Sequence, residues 1–460
     1  MSNETAAVVP YRVGDWLPSD HATLVSWLEE QAAKAEESTE DLAPILVEFR
    51  DLIESNPEIY MLFNQMFTQV PHKPPYNRDP ANEPTIRTYQ QMLAVMNVIL
   101  THTPTYNDTG VVGFPINAIL DWSMGTEGGY AAFLHPEVNA MLKKVLNQFG
   151  TFLDSTASAS ALNPDPKLGW LGDDAMLAMV SALPAVPGSG ELNYWDQQLT
   201  AEQAKQVFVE TFECDPSKDH WGFDTWDAFF TRTFRDGQRP VAAPGDDRVV
   251  ANACESAPYK LTRSAKRLDR FWIKGQPYSL QHMLDDDELV GYFVGGTVYQ
   301  AFLSAKSYHR WHSPVSGKVV KTRLVDGTYY SEIPAEGFYN PLHTRDHLNG
   351  HQPDPAGPND SQGYISEVAT RAMIFIENPV VGTVCFLPIG MAEVSSCEIT
   401  VSAGDTVEKG DEVGMFHFGG SSHCLIFGPQ IELDFDLHGQ WPDLNAFNIA
   451  VRDRIAIVRP

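Results

Sequence analysis

The first half of the chain carries apolar residues at three- and four-residue spacing, the pattern that predicts amphipathic helices. The segment DLAPILVEFRDLIESNPEIYMLFNQMF (41–67) shows this spacing, and Pro57 divides it into two predicted helices because proline cannot continue a helix. The same spacing recurs in 85–100 and in 136–153, where Pro136 stands at the expected helix start. These segments predict a helical N-terminal region.

DDAMLAMVSAL (173–183) predicts a shorter helix. The proline- and glycine-rich segment after it, PAVPGSGELNYW (184–195), is the best candidate for a linker. Beyond it, TAEQAKQVFVETFEC (200–214) predicts another helix, with Thr200 as its N-cap. We therefore divide the chain into a helical N-terminal extension, 1–190, and a second domain, 191–460.

The pattern changes after about residue 240, where short β-branched and aromatic runs are separated by Gly, Pro and Asn. Runs such as RAMIFIE (371–377) and VVGTVCFLPIG (380–390) predict strands. In SAGDTVEKGDEVG, Gly404 and Gly410 predict two turns of a meander. The fold class expected from both halves is α+β, with a helical domain followed by a β-rich one.

The composition narrows the classes of function. The formal net charge of −28 argues against binding to nucleic acid or to anionic lipid, since both need basic surfaces. Five widely spaced cysteines without a C-x-x-C pair indicate free thiols in a reducing compartment. The sequence shows neither a signal peptide at its start nor an apolar run of the roughly 20 residues that a membrane span needs. We expect a cytoplasmic protein without a membrane anchor.

The segment MFHFGGSSHCLIFGP (415–429) places two glycines and two serines between strand-like flanks. A serine directly after glycine can attack the preceding carbonyl, because glycine has no side chain to block the approach. The resulting N-to-O acyl shift, elimination and hydrolysis would leave a pyruvoyl group, which can serve an amino-acid decarboxylase as an electron sink. Taken alone, such a run is more often a flexible turn.

Two histidines and one acid are further candidates. In YHRWHSP, His309 and His312 stand three apart, a spacing compatible with a general base or with metal ligands, although exposed surface histidines are the commoner case. No H-E-x-x-H or carboxylate-rich pattern accompanies them, so we predict no metal. Glu255, in NACESAPY, is either a solvated loop residue or an acid that orients a histidine.

A long polar segment, HTRDHLNGHQPDPAGPNDSQGY (343–364), is expected to be a surface loop. Its three histidines, His343, His347 and His351, are candidate substrate contacts. A solvated lid is the favoured interpretation, because the nearby proline and glycine oppose a helix that would present them together.

In chain order, four segments resemble motifs of the phosphatidylserine decarboxylase family of pyruvoyl enzymes, over about residue 221 to the C-terminus. WGFDTWDAFFTRTFRDGQRPV (221–241) is similar to the family's F-F-x-R…R-P segment, and FWIKGQPYSL (271–280) to its K-G-x-x-Y-S-L segment. YHRWHSP (308–314) matches Y-H-R-x-H-x-P, and FGGSS (418–422) matches the self-cleavage site F-G-G-S-T.

The resemblance implies a β-rich decarboxylase domain that cleaves itself between Gly420 and Ser421 and converts Ser421 to a covalent pyruvoyl cofactor. It also implies that His312 belongs to the self-processing triad and that His309 takes part in decarboxylation. The family's P-A-D-G aspartate aligns with Glu255, so that a longer acid would orient His312.

The extension favours one branch of the family. GWLGDDAMLAMV (169–180), together with ACES, YHRWH and GMFHFGGSS, resembles the soluble fungal members that decarboxylate L-tryptophan. The expected partner is therefore a small aromatic L-amino acid, with tryptophan, which gives tryptamine and carbon dioxide, as the favoured substrate. The alternatives are a phosphatidylserine decarboxylase that makes phosphatidylethanolamine and a non-catalytic relative. The oligomeric state stays open.

Overall fold

The structure is a computed structural model of the 460-residue chain. It describes residues 21–72, 83–106, 114–184, 194, 198–270, 277–304, 306–333, 361–394, 396–418, 421–443 and 446–459.

Thirteen α-helices lie in the described residues. They are α1 (His21–Glu37), α2 (Pro44–Ser55), α3 (Pro57–Thr68), α4 (Tyr89–Ile99), α5 (Pro115–Met124), α6 (Glu127–Leu134), α7 (Pro136–Leu153), α8 (Asp173–Ser181), α9 (Ala201–Thr211), α10 (Trp226–Phe230), α11 (Leu280–Met283), α12 (Val290–Phe293) and α13 (Gln362–Val368).

Thirteen strands lie in the same residues. They are β1 (Val249–Ala251), β2 (Ala257–Arg263), β3 (Thr297–Leu303), β4 (Arg310–His312), β5 (Gly317–Val325), β6 (Arg371–Asn378), β7 (Gly382–Gly390), β8 (Ser396–Ile399), β9 (Thr406–Val407), β10 (Glu412–His417), β11 (Ser421–Phe427), β12 (Leu433–Phe435) and β13 (Arg454–Val458). The α+β fold class is confirmed.

The helix boundaries follow from capping residues in the sequence. Asn56 separates α2 from α3, and its side-chain oxygen accepts hydrogen bonds from the N–H groups of Glu58 and Ile59. The predicted break at Pro57 is therefore confirmed. At α9, the Thr200 hydroxyl accepts from the Gln203 N–H while the Gln203 side chain accepts from the Thr200 N–H, which completes a capping box and confirms the predicted N-cap.

Within the described ranges of the β-rich part, the strands form three antiparallel sheets. The largest has seven strands in the order β2-β3-β11-β7-β6-β5-β9, and two three-stranded sheets have the orders β4-β10-β8 and β1-β13-β12. Every residue of β11 is buried. Since β10 and β11 belong to different sheets, Ser421 begins its strand just after the chain leaves another sheet.

The meander predicted in SAGDTVEKGDEVG (402–414) is wrong in one respect. Gly404 and Gly410 do turn the chain, with positive φ angles of 105° and 92°. However, β9 between them pairs with β5 in the large sheet, while β8 and β10 pair with each other in a small one. The intervening strand therefore ties the two sheets together.

The proposed domain boundary at 190/191 falls within 185–193, which lies outside the described residues. It stays a prediction. Among the helices that the structure describes, none combines the length and the apolar character that crossing a membrane requires.

Helix α5 docks onto the β-rich part through a buried carboxylate. Glu393 lies after β7, and its Oε1 accepts from the backbone N–H of Ile116 and of Asn117, at 2.5 and 2.9 Å. It therefore caps the N-terminus of α5 from a distant part of the chain. Burial raises the pKa of Glu393 to about 7, although the two N–H groups act in the opposite direction.

This cap predicts a pH-dependent loss of stability. A carboxyl whose pKa is higher in the folded than in the unfolded chain, 7 against 4.5, stabilises the fold below pH 4.5 and loses this contribution as the pH rises to 7. The loss amounts to about 3 kcal/mol at 1.36 kcal/mol per pKa unit. We expect Glu393→Gln, which keeps the acceptor oxygen without the charge, to lose less stability between pH 5 and pH 7.5 in urea unfolding. Equal losses in both proteins would contradict this expectation.

Candidate active site

Ser421 is the first residue of β11 and is fully buried. Its backbone pairs with Leu303 of β3 on one side and with Gly390 of β7 on the other. Its Oγ has no hydrogen-bond partner in the described part of the protein. Because buried polar groups are normally paired, an unpaired hydroxyl at a fixed backbone position is available for chemistry. Gly420, the other residue of the predicted cleavage site, lies outside the described residues.

Ser422 points to the opposite face of β11, as strand geometry requires. Its Oγ accepts a hydrogen bond from Gln300 Nε2 at 3.3 Å, and the Gln300 Oε1 accepts one from the Tyr278 hydroxyl. Of the two adjacent serines, Ser422 therefore has a structural partner.

His309 precedes β4 and is fully buried. Its ring stacks on Phe230 of α10, with the ring centroids 4.0 Å apart and the planes 17° from parallel. Its carbonyl accepts from the N–H of Phe416, which stands five residues before Ser421. Phe230, which belongs to the aromatic segment identified in the sequence, therefore covers one face of this histidine ring.

His312 ends β4 and is held at both ring nitrogens. Nδ1 lies 2.9 Å from the Gly410 carbonyl, and Nε2 lies 3.0 Å from the Tyr308 hydroxyl. The tautomer that satisfies both contacts carries its proton on Nδ1 and accepts at Nε2. Burial, with Arg452 and Arg310 nearby, lowers the pKa of His312 to about 3, so the ring is neutral around pH 7. A neutral imidazole can accept a proton once Tyr308 releases Nε2.

Glu255 precedes β2, and its carboxylate is completely buried against Arg239. Arg239 Nε donates to Oε2 at 2.6 Å and Nη2 donates to Oε1 at 2.9 Å, the bidentate geometry of strong charge-assisted pairs. Glu255 is thus no solvated loop residue. Its described side-chain partner is an arginine of the F-F-x-R…R-P segment rather than a histidine, and the Val451 N–H also donates to its Oε2.

The structure places the predicted site residues on or next to neighbouring strands without joining them directly. The large sheet carries Ser421, and Glu255 stands just before its strand β2, while β4 pairs with β10, the strand that leads toward Ser421. Among Ser421, His312 and Glu255, all of them described, no hydrogen bond links any two. The roles of these residues, and of His309, in processing and decarboxylation stay predictions.

The sequence reasoning missed two partners that the fold supplies. Arg239 was visible as the R-P arginine of the quoted motif, and Tyr308 as the residue that opens YHRWHSP. Burial raises the pKa of the Tyr308 hydroxyl, so it stays protonated and can donate to His312. Because motif comparison orders residues along the chain, it gives no indication of these pairings.

A third histidine, His423, was also missed although it stands two residues after Ser421. Strand alternation places it on the same face of β11 as Ser421, and its Nε2 lies 3.0 Å from the Ser256 hydroxyl. Its Nδ1 has no hydrogen-bond partner in the described residues. Burial lowers the pKa of His423 to about 3. A neutral imidazole thus lies on the same face of β11 as the candidate nucleophile.

Residues 343–360 of the predicted lid, with its three histidines, lie outside the described residues. Of its last four residues, Ser361 is buried and its hydroxyl accepts from the Ile333 N–H, while Gln362 to Tyr364 begin α13. This end of the segment is therefore packed structure rather than exposed loop.

Comparison with protein families gives two matches along the chain. A family model described as phosphatidylserine decarboxylase matches residues 226–440, and a second phosphatidylserine decarboxylase model matches residues 43–179. Both the β-rich part and most of the helical part are therefore similar to this family.

Individual proteins give longer alignments. The decarboxylase iboD of Amanita muscaria is 40% identical over 332 residues, which cover 70% of this chain and 86% of that protein. The L-tryptophan decarboxylase of Psilocybe cubensis is 33% identical over 428 residues, 90% of this chain and 88% of that one. Phosphatidylserine decarboxylase proenzyme 3 of Schizosaccharomyces pombe is 30% identical over 256 residues, 53% of this chain and 23% of that protein.

Proposed function

We propose, from the premise that this chain belongs to the phosphatidylserine decarboxylase family and is a decarboxylase, that it cleaves itself before Ser421 and then decarboxylates an aromatic L-amino acid. L-Tryptophan is the proposed substrate, with tryptamine and carbon dioxide as products. The observation that carries the proposal is the buried Ser421 Oγ, without a partner in the described residues and fixed between β3 and β7 directly after two glycines.

Self-cleavage starts when the Ser421 Oγ attacks the Gly420 carbonyl carbon. The C–N bond breaks, the nitrogen takes up the hydroxyl proton, and an ester links Gly420 to Ser421. Loss of the Ser421 α-proton then expels the Gly420 carboxylate and leaves a dehydroalanine at 421. Addition of water to its imine tautomer releases ammonia and leaves the ketone of a pyruvoyl group. His312, whose Nε2 faces the Tyr308 hydroxyl, is the proposed proton acceptor for the first step.

The residues around position 421 fit such a group. The Ser421 side chain is uncharged and has no hydrogen-bond partner in the described residues, so an uncharged ketone can take its place. The seven residues of β11 pair with both neighbouring strands, so the new chain stays in the sheet after cleavage. A pyruvoyl group supplies a carbonyl that binds the substrate amine and accepts electrons from the breaking bond to the carboxylate.

His309 is the proposed proton donor to the carbon that loses carbon dioxide. It is buried against Phe230, in surroundings that exclude water. Burial of a substrate carboxylate in such a place favours its departure as uncharged carbon dioxide, since the charged form loses its hydration.

The choice of substrate rests on alignment length and charge. Relatives named L-tryptophan decarboxylase align over 90% of this chain, whereas a relative named phosphatidylserine decarboxylase aligns over about half of it. The net charge of −28 opposes approach to an anionic lipid surface. Both features favour a small amino acid over a phospholipid.

A substrate panel tests this choice. Purified, processed protein is incubated with L-tryptophan, L-tyrosine, L-phenylalanine, or vesicles that contain phosphatidylserine, and the amine products are measured. We expect tryptamine to form with the highest kcat/KM. Phosphatidylethanolamine as the main product, with sedimentation of the protein on the vesicles, would replace the proposal by the lipid reaction. If the purified chain instead stays uncleaved and forms no product from any of these substrates, the protein is a non-catalytic relative.

A further inference from the structure

The segment that precedes the proposed cleavage site has an unusual backbone. Strand β10 ends at His417, and Phe418 follows with a φ of +67°. A bulky residue rarely adopts this left-handed conformation, which persists only where surrounding contacts enforce it. Two sets of contacts do so here, one at His417 and one at Phe418.

His417 is held between two carboxylates from different elements. Its Nδ1 lies 3.0 and 3.1 Å from the two carboxylate oxygens of Asp227 in α10, and its Nε2 lies 2.9 Å from Glu398 Oε2 in β8. Since carboxylates accept and do not donate, both ring nitrogens carry protons, and the ring is a cation in this arrangement. His417 therefore joins the end of β10 to helix α10 and to strand β8.

Phe418 packs against the backbone of α7 at Gly150. A Cβ added at Gly150 would lie 2.9 Å from Phe418 Cε2, closer than real side chains approach. Glycine costs stability inside a helix, so its presence in α7 has a packing explanation: it leaves a notch for the phenylalanine ring. The N-terminal extension thus contacts the segment directly before the Gly-Gly-Ser-Ser run.

We propose that His417, clamped by Asp227 and Glu398, and Gly150, which receives Phe418, are positioning residues for self-cleavage. They fix the backbone at His417 and Phe418, just before the Gly420–Ser421 bond. The entropy cost of ordering this part of the chain is then already met when Ser421 attacks. The inference rests on the proposed self-cleavage and assigns a role in it to the helical extension.

The charges around His417 make the clamp depend on pH. His417 lines a cavity of about 270 Å³ together with Lys143 of α7 and Asp326, which follows β5. Lys143 and Asp326 form an ion pair with each other rather than with His417. Burial lowers the pKa of His417, yet the hydrogen bonds and charges of Asp227 and Glu398 outweigh burial and raise it above the ordinary value. The clamp is thus complete below this raised pKa and is lost as the pH rises through it.

The test follows cleavage of freshly synthesised full-length chain in a cell-free system, by gel and intact mass, over time and over pH. We expect His417→Gln and Gly150→Ala each to slow cleavage about tenfold or more, because a displacement of about 1 Å at a reacting bond has effects of this size. Alanine favours a helix more than glycine does, so slower cleavage in Gly150→Ala would not come from a weaker α7.

His417→Arg separates positioning from general stability. Arginine keeps a charge and two donors for Asp227 and Glu398, so we expect it to restore most of the cleavage rate and to remove the decline at high pH that the wild type shows. Thr151→Ala, on the exposed side of α7, and His282→Gln, which replaces an exposed histidine that pairs with Glu367, are matched controls.

The outcomes distinguish the two proposals. Wild-type cleavage with unchanged rates and pH profiles in His417→Gln and Gly150→Ala would overturn the positioning role and leave the proposed function intact. A wild-type chain that never cleaves would overturn the proposed function itself. If His417→Gln fails to fold, Gly150→Ala and the pH profile of His417→Arg still decide.

Discussion

The Ser421→Ala variant is expected to remain one 51.1 kDa chain and to lose at least about a thousandfold in decarboxylase activity, because it lacks both the proposed nucleophile and the proposed precursor of the cofactor. The wild type is expected to give a chain of residues 1–420 and a second one of residues 421–460 with a blocked N-terminus. Intact mass of the purified proteins, followed by a tryptamine assay, measures both effects.

The fold of this variant should be unchanged. Since the Ser421 Oγ has no described hydrogen-bond partner, its removal leaves no group unpaired, and the thermal unfolding midpoint should not fall. Ser422→Ala is the matched control, because it removes the adjacent hydroxyl, which accepts from Gln300 on the other face of β11. Cleavage and activity that persist in Ser421→Ala, or that are lost in Ser422→Ala alone, would show that Ser421 is not the reacting serine.

The second large effect concerns the ion pair of Arg239 and Glu255. Arg239→Met would leave the Glu255 carboxylate buried without its counter-charge, and we expect the free energy of unfolding to fall by about 3–5 kcal/mol. The double variant Arg239→Met/Glu255→Leu removes both charges and should recover most of this loss, since apolar replacements of whole buried pairs are often neutral. Urea unfolding of the three proteins gives the comparison.

The same pair also tests the predicted role of Glu255 in processing. Glu255→Gln keeps the shape of the side chain and removes its charge. If the acid only holds Arg239, this variant should be less stable but should cleave at the wild-type rate at a temperature where it is folded. Slower cleavage under those conditions would support an action of Glu255 on His312 through nearby Tyr308, whose pKa its charge helps to raise. An unchanged unfolding free energy would contradict the structural role.

Local patterns in the sequence were sufficient to predict most of the elements. The break at Pro57 and the cap at Thr200 depend only on residues within one helical turn, which is why both were confirmed. The short β-branched and aromatic runs of the second half predicted strands for the same reason. The meander was wrong because strand pairing depends on distant partners: β9 pairs with β5, whose sequence lies some 90 residues earlier.

The sequence by itself determined the family resemblance, the position of Ser421 after two glycines and the candidate histidines, because these are contiguous motifs. Only the tertiary structure decided which groups meet. Arg239 and Glu255 pair across 16 residues, His417 and Asp227 across 190, and Gly150 meets Phe418 from another part of the chain. Such contacts are set by how helices and sheets pack. Burial and the charged partners together then set the charge of each group, a property that no spacing along the chain encodes.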